Sequence, residues 1–499
     1  MLSGMQRLDY TQALPLFNVN RLRALEAELA ASLPPHSLMQ RAGLAVAQLA
    51  MAIAPHARCI WVACGPGNNG GDGLEAALHL HHSGAQWGKS VVVTWLGDEH
   101  NMPADARASL ARARQAGVVF SSSPPDNTDL CIDALLGIGG TRIPEGTMGD
   151  WLALMAQCRA PVLCVDLPSG LCADTGRNSS ILIANNSIGL CQKQVFTLTF
   201  LGLKPGMFTH QGRDACGEVW CDDLGATRLH GDRSPSAWLA GPPASQAVLH
   251  TSHKGSFGDV LVVGGDVSMA GAAILAADAA LHGGAGRVYV SLLDPNADQL
   301  DRARPALMFR HWAELDLSQL TLVCGCGGGK AIRAVLPRAI AQTAHLVLDA
   351  DALNHIAADA GLQDMLKARG LAGHATVLTP HPLEAARLLG ISTEAVQSDR
   401  LGVAQRLADK LACTLVLKGS GTIIASPGCI PVINPTGNAR LATAGTGDVL
   451  AGLIGARLAQ GRSPHDSAMA AVWQHGWAAD QWPVGTALTA DQLARALTR

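Results

Sequence analysis

Two α/β domains in tandem, each built on a largely parallel sheet, are what this sequence predicts, and three observations lead there. Short β-branched and apolar runs alternate with Ala/Leu-rich stretches long enough for helices, the pattern of strand–helix–strand units. Those runs repeatedly end in Gly-rich turns carrying Asp, Asn or Lys. At 499 residues the chain also exceeds what one hydrophobic core organises.

In order along the chain, helices are predicted over residues 19–29 (VNRLRALEAEL) and 37–53, with Ser37 as N-cap of the second and packing as their role. Strands are expected at 59–64, 90–96, 130–135, 161–167 and 194–200. In the second half they are expected at 259–264, 287–292, 320–324, 345–349, 376–379 and 414–418. Residues 228–245 (RLHGDRSPSAWLAGPPAS) are rich in Pro, Gly and charge without a clean period. The boundary therefore falls near residue 235, giving domains 1–235 and 236–499. The halves share a class but no motif register, so they are not an internal repeat.

Composition excludes several function classes. A formal net charge of −3 leaves no basic footprint for nucleic acid, and scattered Lys and Arg form no run suited to an anionic membrane. Apolar residues reach 48%, yet even the Ala-rich stretch 269–285 is broken by Asp278 and His282, so no transmembrane helix is expected. The first ten residues lack a signal-peptide pattern. Thirteen cysteines, an odd number without a CxxC pair, sit in strand-like runs (Cys59, Cys64, Cys131, Cys164) and read as buried thiols of a reducing compartment. No Cys or carboxylate follows His79, His81 and His82 at ligand spacing, so they read as an exposed helix face. A cytoplasmic protein acting on small molecules, as a homo-oligomer, is the expectation.

In the first half, Gly65-Pro66-Gly67-Asn68-Asn69-Gly70-Gly71-Asp72-Gly73 joins the run CIWVAC to the helical LEAALHLHH. Glycines at a strand–helix junction let N–H groups approach an anion, and the Asn side chains add donors and acceptors. It is neither a Walker loop nor the GxGxxG fingerprint, so the physical reading is an anion-binding loop, the alternative a structural turn. Asp133 closes CIDALL before Gly137-Ile138-Gly139-Gly140-Thr141-Arg142, Asp166 closes PVLCVD before Leu167-Pro168-Ser169-Gly170, and Lys204 follows a strand in LGLKPG. Carboxyl ends of parallel strands are where such sheets bind ligands, so these groups should converge on one crevice. Each Asp could instead cap its turn. Two of them beside a Gly-rich loop favour a site.

NNGGDG, D-x-LLG-x-G, VDLPSGL-x-ADTG and TF-x-x-LKPG, in that order over most of residues 10–225, resemble the NAD(P)H-hydrate epimerase domain. The resemblance implies a Rossmann-like three-layer sandwich holding a dinucleotide hydrate near K+. It implies substrate contacts from Asn68, Asn69, Gly70, Gly71, Asp72, Gly137, Ile138, Gly139, Gly140, Thr141, Arg142 and Ile143. Asn69, Asp133 and Ser169 would bind K+, and Asp166 would be the catalytic acid/base, a task that proton management at the hydroxyl-bearing C6 requires. Cys172 stands where that family commonly has Asp, whereas Asp174 is retained.

The second half carries Asn434-Pro435-Thr436-Gly437-Asn438 and then Thr443-Ala444-Gly445-Thr446-Gly447-Asp448, which opens the apolar helical run VLAGLIGARLAQG. N–H groups at a helix N-terminus beside a carboxylate form an anion hole suited to phosphoryl transfer, in which the carboxylate accepts a hydroxyl proton. The alternative, Asp448 as a simple cap, leaves the surrounding TAGTG unexplained. Lys418-Gly419-Ser420-Gly421-Thr422 ends the strand LVLKG, Asp349-Ala350-Asp351 ends HLVLD, and Thr379-Pro380-His381-Pro382-Leu383-Glu384 starts a helix.

HKGSFG, GGD, DADALN, TPHP-x-EAARLLG, LKGSGT, NPTGN and ATAGTGDVLAG, over about residues 250–480, are similar to the ADP/ATP-dependent NAD(P)H-hydrate dehydratase of the ribokinase-like superfamily. The resemblance implies an α/β domain that phosphorylates the substrate's C6 hydroxyl from ADP or ATP with Mg2+, after which phosphate is expelled and the dihydronicotinamide restored. Asp448 would be the base. Gly447 with Lys418, Gly419, Ser420, Gly421 and Thr422 would contact nucleotide, and Gly327 and His381 would line the hydrate pocket. Cys326 replaces the usual Pro of a GPGLG turn, Leu383 the Gly of TPHPGE, and Ala439-Arg440 the Pro-Gly after NPTGN. Two other readings compete: a ribokinase-like kinase of small alcohols, and a first half that only binds. TPHPLEAARLLG favours the dehydratase, and the polar strand ends Asn69, Asp133, Asp166 and Ser169 favour catalysis.

Overall fold

The computed structural model describes residues 4–84, 88–140, 143–178, 194–226, 234–244, 248–298 and 300–497. The chain divides into two compact units, Met1–Asp9 with Pro15–Ser236, and Tyr10–Leu14 with Ala237–Arg499.

The first unit's sheet runs, edge to edge, Met5–Arg7, Glu218–Asp222, Val195–Phe200, Val162–Val165, Leu130–Ala134, Cys59–Cys64, Ser90–Trp95, Val119–Ser121. Only Met5–Arg7 is antiparallel to its neighbour. The central strands are apolar on both faces and buried, because helices cover both sides of a parallel sheet. Leu74, Ala77 and Leu80 of the helix Asn68–Gly84 pack with Val46 and Leu49 of the helix Ser37–Ile53 in one core, and Trp61, Trp151 and Met155 form another. The chain leaves Cys59–Cys64 for Ser90–Trp95 on one side and later returns to Leu130–Ala134 on the other. The crevice at that reversal is where a doubly wound sheet places its ligand.

The second unit's sheet reads Met308–Phe309, Arg287–Leu292, Asp259–Gly264, Thr321–Cys324, His345–Leu348, Thr376–Leu378, Thr414–Leu417, Ile423–Ala425, Val432–Ile433, Ala237–Leu239. It is parallel through Thr414–Leu417, and Ile423–Ala425 then runs antiparallel to both neighbours. Its reversal lies between Asp259–Gly264 and Thr321–Cys324. The helix Thr446–Ala459 is buried along nearly its whole length and packs on Ala270–His282, an approach so close that a Cβ on Gly452 would lie 1.9 Å from the Ala276 carbonyl.

Every predicted strand forms, with bounds shifted by two residues at most. The predicted strand list lacked Met5–Arg7, Leu14–Leu16, Val119–Ser121, Glu218–Asp222, Ala237–Leu239, Met308–Phe309, Ile423–Ala425 and Val432–Ile433. Ser37 is not an N-cap: it is the first residue of Ser37–Ile53, and the cap position falls on His36 at φ 66° without a capping side chain.

Candidate active sites

The first site forms where two strand-end turns meet. Gly65, after Cys59–Cys64, sits so close to the turn after Leu130–Ala134 that a Cβ there would lie 1.9 Å from the Leu135 carbonyl. The helix begins immediately, at Asn68, so NNGGDG forms nearly its first two turns rather than a loop. Gly70 and Gly71 serve packing, since added Cβ atoms would strike the Gly65 carbonyl and the Met39 side chain. A cavity of about 570 Å3 opens above, within the range of small-molecule sites, and is lined by Asn68, Asn69, Asp72, Gly137 to Gly140, Asp166 and Lys204. The helix Val19–Ala31 contributes Leu22, Arg23 and Glu26 to the same cavity. Asn18 caps that helix by accepting from the Arg21 N–H, and Asp174 Oδ1 accepts from the Val19 N–H at 2.9 Å.

Asp166 is held in an unusual way. Its φ of 64° is left-handed, a conformation that costs a non-Gly residue and that surrounding contacts must enforce. Its Oδ1 accepts from Lys204 Nζ at 2.5 Å and the Phe200 N–H at 3.2 Å, and the buried ammonium also donates to Thr199 Oγ1 and the Phe200 carbonyl. Burial, then the charge of Asp166, pushes the Asp72 carboxyl well above the usual range, and the same two causes raise Glu26. The cavity thus brings a lysine-paired carboxylate together with carboxyls that hold their protons more tightly than usual.

Asp133 lies under the floor. It accepts from Ser169 Oγ at 2.6 Å, the Ser169 N–H at 2.9 Å and the Leu135 N–H at 3.2 Å. Burial raises its carboxyl against these bonds, and no basic side chain pairs with it among the described residues. Asn69 Nδ2 is buried without a partner among the described residues, and its Oδ1 rests against Gly137.

The second site gathers the carboxyl ends of several strands. Asp349 Oδ1, after His345–Leu348, accepts from Lys418 Nζ and from Thr379 Oγ1, both at 2.7 Å. Asp448, in the first turn of Thr446–Ala459, brings a carboxylate oxygen within 4.8 Å of Asp349 and of the Cys326 thiol. Burial, then Asp349, lifts the Asp448 carboxyl to about 7, against the opposing pull of Cys326 and Lys418. Burial draws the Lys418 ammonium down, but Asp349 and Glu384 outweigh it and hold it above the ordinary lysine value. A Cβ on Gly447 would stand 3.5 Å from Lys418 Nζ, so the backbone at this helix's open N-terminus lies beside the ammonium. His475, lowered to about 4 by burial and therefore neutral, donates from Nε2 to the Thr446 carbonyl and fixes that turn.

Around this centre, Gly325, Gly327 and Gly329 all adopt positive φ, and the Gly327 carbonyl accepts from the Asp266 N–H of the Gly-Gly-Asp loop at 2.7 Å. His381 Nδ1 accepts from the Leu383 and Glu384 N–H groups, so its proton sits on Nε2, 3.2 Å from Glu384 Oε1. Burial lifts that Glu384 carboxyl to about 7. NPTGN is anchored by Asp480, which accepts from the Gly437 N–H and from Asn438 Nδ2.

Two family models match: one described as NAD(P)H-hydrate dehydratase over residues 260–499, and one described as YjeF-related protein N-terminus over residues 35–206. The bifunctional NAD(P)H-hydrate repair enzyme Nnr of Escherichia coli (strain K12) is 36% identical over 474 residues, 89% of this chain and 85% of that one. Its counterpart in Coxiella burnetii is 33% identical over 484 residues, 93% and 94% of the two chains. The chain belongs to the bifunctional NAD(P)H-hydrate repair enzymes. Among solved structures it is similar to the ADP/ATP-dependent NAD(P)H-hydrate dehydratase from Bacillus subtilis co-crystallised with ATP/Mg2+, at 26% identity and a TM-score of 0.42, covering 50% of this chain and 91% of that one.

In this NAD(P)H-hydrate repair enzyme the residues singled out by sequence separate into groups. Asn68, Asn69, Asp72, Gly137, Ile138, Gly139, Gly140 and Asp166 meet in one cavity. Gly70 and Gly71 are packed behind it, Ile143 is 60% exposed and away from its lining, and Thr141 and Arg142 lie outside the described residues. Asp133 and Ser169 bond to each other beneath the lining. Lys418, Gly447 and Asp448 meet. Gly419 packs over the buried Arg400 guanidinium at φ 136°, Ser420 is exposed, and Thr422 bonds back to the Gly419 carbonyl. Gly327 closes a turn, and His381 caps the helix Pro382–Leu389.

Sequence reasoning gave the helix Val19–Ala31 a packing role only, and thereby missed Arg23 and Glu26. The signal was available: two charges three apart on a helix whose buried side is Leu22, Leu25 and Leu29. Glu384 and His475 were missed as site groups, and no local pattern marks His475. Lys204 and Asp349 were noticed at strand ends without a role.

Proposed function

We propose that the cavity of the first unit interconverts the C6 epimers of hydrated NADH and NADPH, and that the second site dehydrates the S form using ADP or ATP. The observation that carries this reading is the pair of unlike carboxyl environments: Asp166 ion-paired to Lys204 in one unit, and Asp448 lifted to about 7 beside Lys418 and Asp349 in the other. In the first, the Asp166 carboxylate takes the proton of the substrate's C6 hydroxyl as the C6–N1 bond opens to an aldehyde and the raised Asp72 carboxyl protonates N1; return of both protons as N1 closes on the other face of that carbonyl gives the other epimer. In the second, Asp448 accepts the C6 hydroxyl proton as that oxygen attacks the terminal phosphoryl group. The Lys418 ammonium and the Gly447 N–H stabilise the transferred charge. Electron push from the ring nitrogen then expels phosphate.

Asp133, Ser169 and Asn69 fit a monovalent cation in the kind of groups they offer: a buried carboxylate with no basic partner among the described residues, a hydroxyl bonded to it, and a buried amide that has no partner among them. K+ would there supply the missing counter-charge. Mg2+ fits differently: the group of Cys326, Asp349 and Asp448 includes a thiol, which a hard cation disfavours, so Asp349 and Asp448 would be the side chains to hold it and the nucleotide phosphates would supply its other ligands. No helix among the described residues is long and apolar enough to cross a membrane. The proposed setting is the cytoplasm, in keeping with free thiols at the described cysteines, and the proposed assembly a homo-oligomer, which light scattering on the purified protein checks.

Single substitutions test the division of labour. Asp166→Asn is expected to slow epimer exchange by at least about a hundredfold, the lower worth of a general acid/base, with dehydration of the S epimer unchanged. Asp448→Asn is expected to abolish dehydration and leave epimer exchange intact. Loss of both activities in either variant contradicts the reading.

A further inference from the structure

The turn after the strand Thr321–Cys324 reads Gly325-Cys326-Gly327-Gly328-Gly329, four glycines in five residues and no proline to stiffen them. Such a turn has no shape of its own, so its surroundings must impose one. Part of it comes from the Gly-Gly-Asp loop: the Gly265 and Asp266 N–H groups donate to the Cys326 and Gly327 carbonyls at 3.0 and 2.7 Å. The far end is held by the helix Ala350–Ala357. Asp351 Oδ2 accepts from the Gly329 N–H at 2.9 Å, and His355 Nε2 donates to the Gly329 carbonyl at 3.0 Å. Four apart on that helix, the two side chains share a face and grip both backbone groups of a residue at φ 53°. From the same helix Asn354 Oδ1 accepts from Arg387 Nη1 at 2.6 Å, and Arg387 belongs to the helix Pro382–Leu389 that His381 caps.

We infer that Asp351 and His355 are positioning residues for the hydrate pocket: by clamping Gly329 they set where Gly327, two residues earlier, meets the substrate. This rests on the proposed dehydratase activity and on Gly327 and His381 lining its pocket. One short helix then registers both walls, holding the glycine turn through Asp351 and His355 and the His381 helix through Asn354. Core packing does not depend on the clamp: Asp351 and His355 are half-buried, and the helix buries Ala352, Leu353 and Ile356 instead. Removing it loosens the turn without emptying the core. The substrate that leans on the turn feels the loss, whereas the nucleotide, assigned to Lys418 through Thr422 and Gly447, does not.

The test is steady-state dehydration of the S epimer by the full chain with Mg2+ and ATP or ADP, varying hydrate and nucleotide in turn, for the native protein, Asp351→Ala, Asp351→Asn and His355→Ala. Each alanine variant gives up one hydrogen bond to Gly329 and is expected to raise KM for the hydrate about three- to tenfold, with KM for the nucleotide unchanged. Asp351→Asn keeps an oxygen that accepts from the Gly329 N–H and is expected to stay near the native hydrate KM. If Asp351→Ala does not fold, His355→Ala carries the same expectation alone. A native hydrate KM in the alanine variants, a rise shared equally by the nucleotide, or an Asp351→Asn as impaired as Asp351→Ala would overturn the clamp and leave the dehydratase standing. No dehydration by the native protein with either nucleotide would instead remove the proposed activity, and the clamp with it.

Discussion

Asp448 carries opposite demands from stability and chemistry. Its folded-state value near 7 stands above that of an unfolded aspartate, so between about 4 and 7 the native state binds the extra proton and stability falls as pH rises. Above that window the buried charge is a continuing cost. Asp448→Asn is therefore expected to raise Tm at pH 8 more than at pH 5, while removing dehydration at both. An equal change in Tm at the two pH values would show that Asp448 is not destabilised by its surroundings. Dehydration by the native protein should fall as pH drops through about 7, when Asp448, the proposed base, becomes protonated. Lys204 presents the converse case. Its ammonium is 1% exposed and bonded to Asp166, so Lys204→Met leaves a buried, unpaired carboxylate and is expected to cost about 3–5 kcal/mol together with epimer exchange. Denaturant unfolding of the first unit checks it. Asp166 and Asp448 were legible because each ends a local motif. The strained φ of Asp166 and the gathering of Cys326, Asp349 and Asp448 were not, since both depend on chain segments far apart in sequence.

Helices and strands were legible in proportion to their length. The central strands read clearly because a parallel sheet covered on both faces needs apolar residues at every position, which a single run of sequence displays. Strands such as Met308–Phe309 and Val432–Ile433, two residues long, carry no period and exist only because a neighbour offers its edge. The glycines of NNGGDG were read as openers of a loop, whereas Gly70 and Gly71 turn out to be spacers inside a helix. Gly70→Ala places a Cβ 1.9 Å from the Gly65 carbonyl, backbone against backbone, so the helix must move away from the strand end. The expected result is a loss of about 3 kcal/mol or more with weakened epimer exchange, whereas a variant as stable and active as the native protein would show that the junction has slack. Thermal unfolding and an exchange assay read the two effects.

Across the molecule, two compact α/β units each carry one candidate site within their own residues, in agreement with the two predicted domains in class. Hydration creates both C6 epimers, and a dehydratase that accepts one of them leaves the other stranded unless an epimerase works alongside. If the activities are separate in this way, Asp166→Asn and Asp448→Asn proteins mixed together should restore complete repair, because the free hydrate passes between them. The most direct measurement follows the return of dihydronicotinamide absorbance after the native protein meets a mixture of both NADH-hydrate epimers with K+, Mg2+ and ADP or ATP. The account predicts complete recovery, faster than spontaneous epimer exchange allows, and recovery that stalls with one epimer remaining when Asp166→Asn is used. No recovery by the native protein with either nucleotide would contradict it.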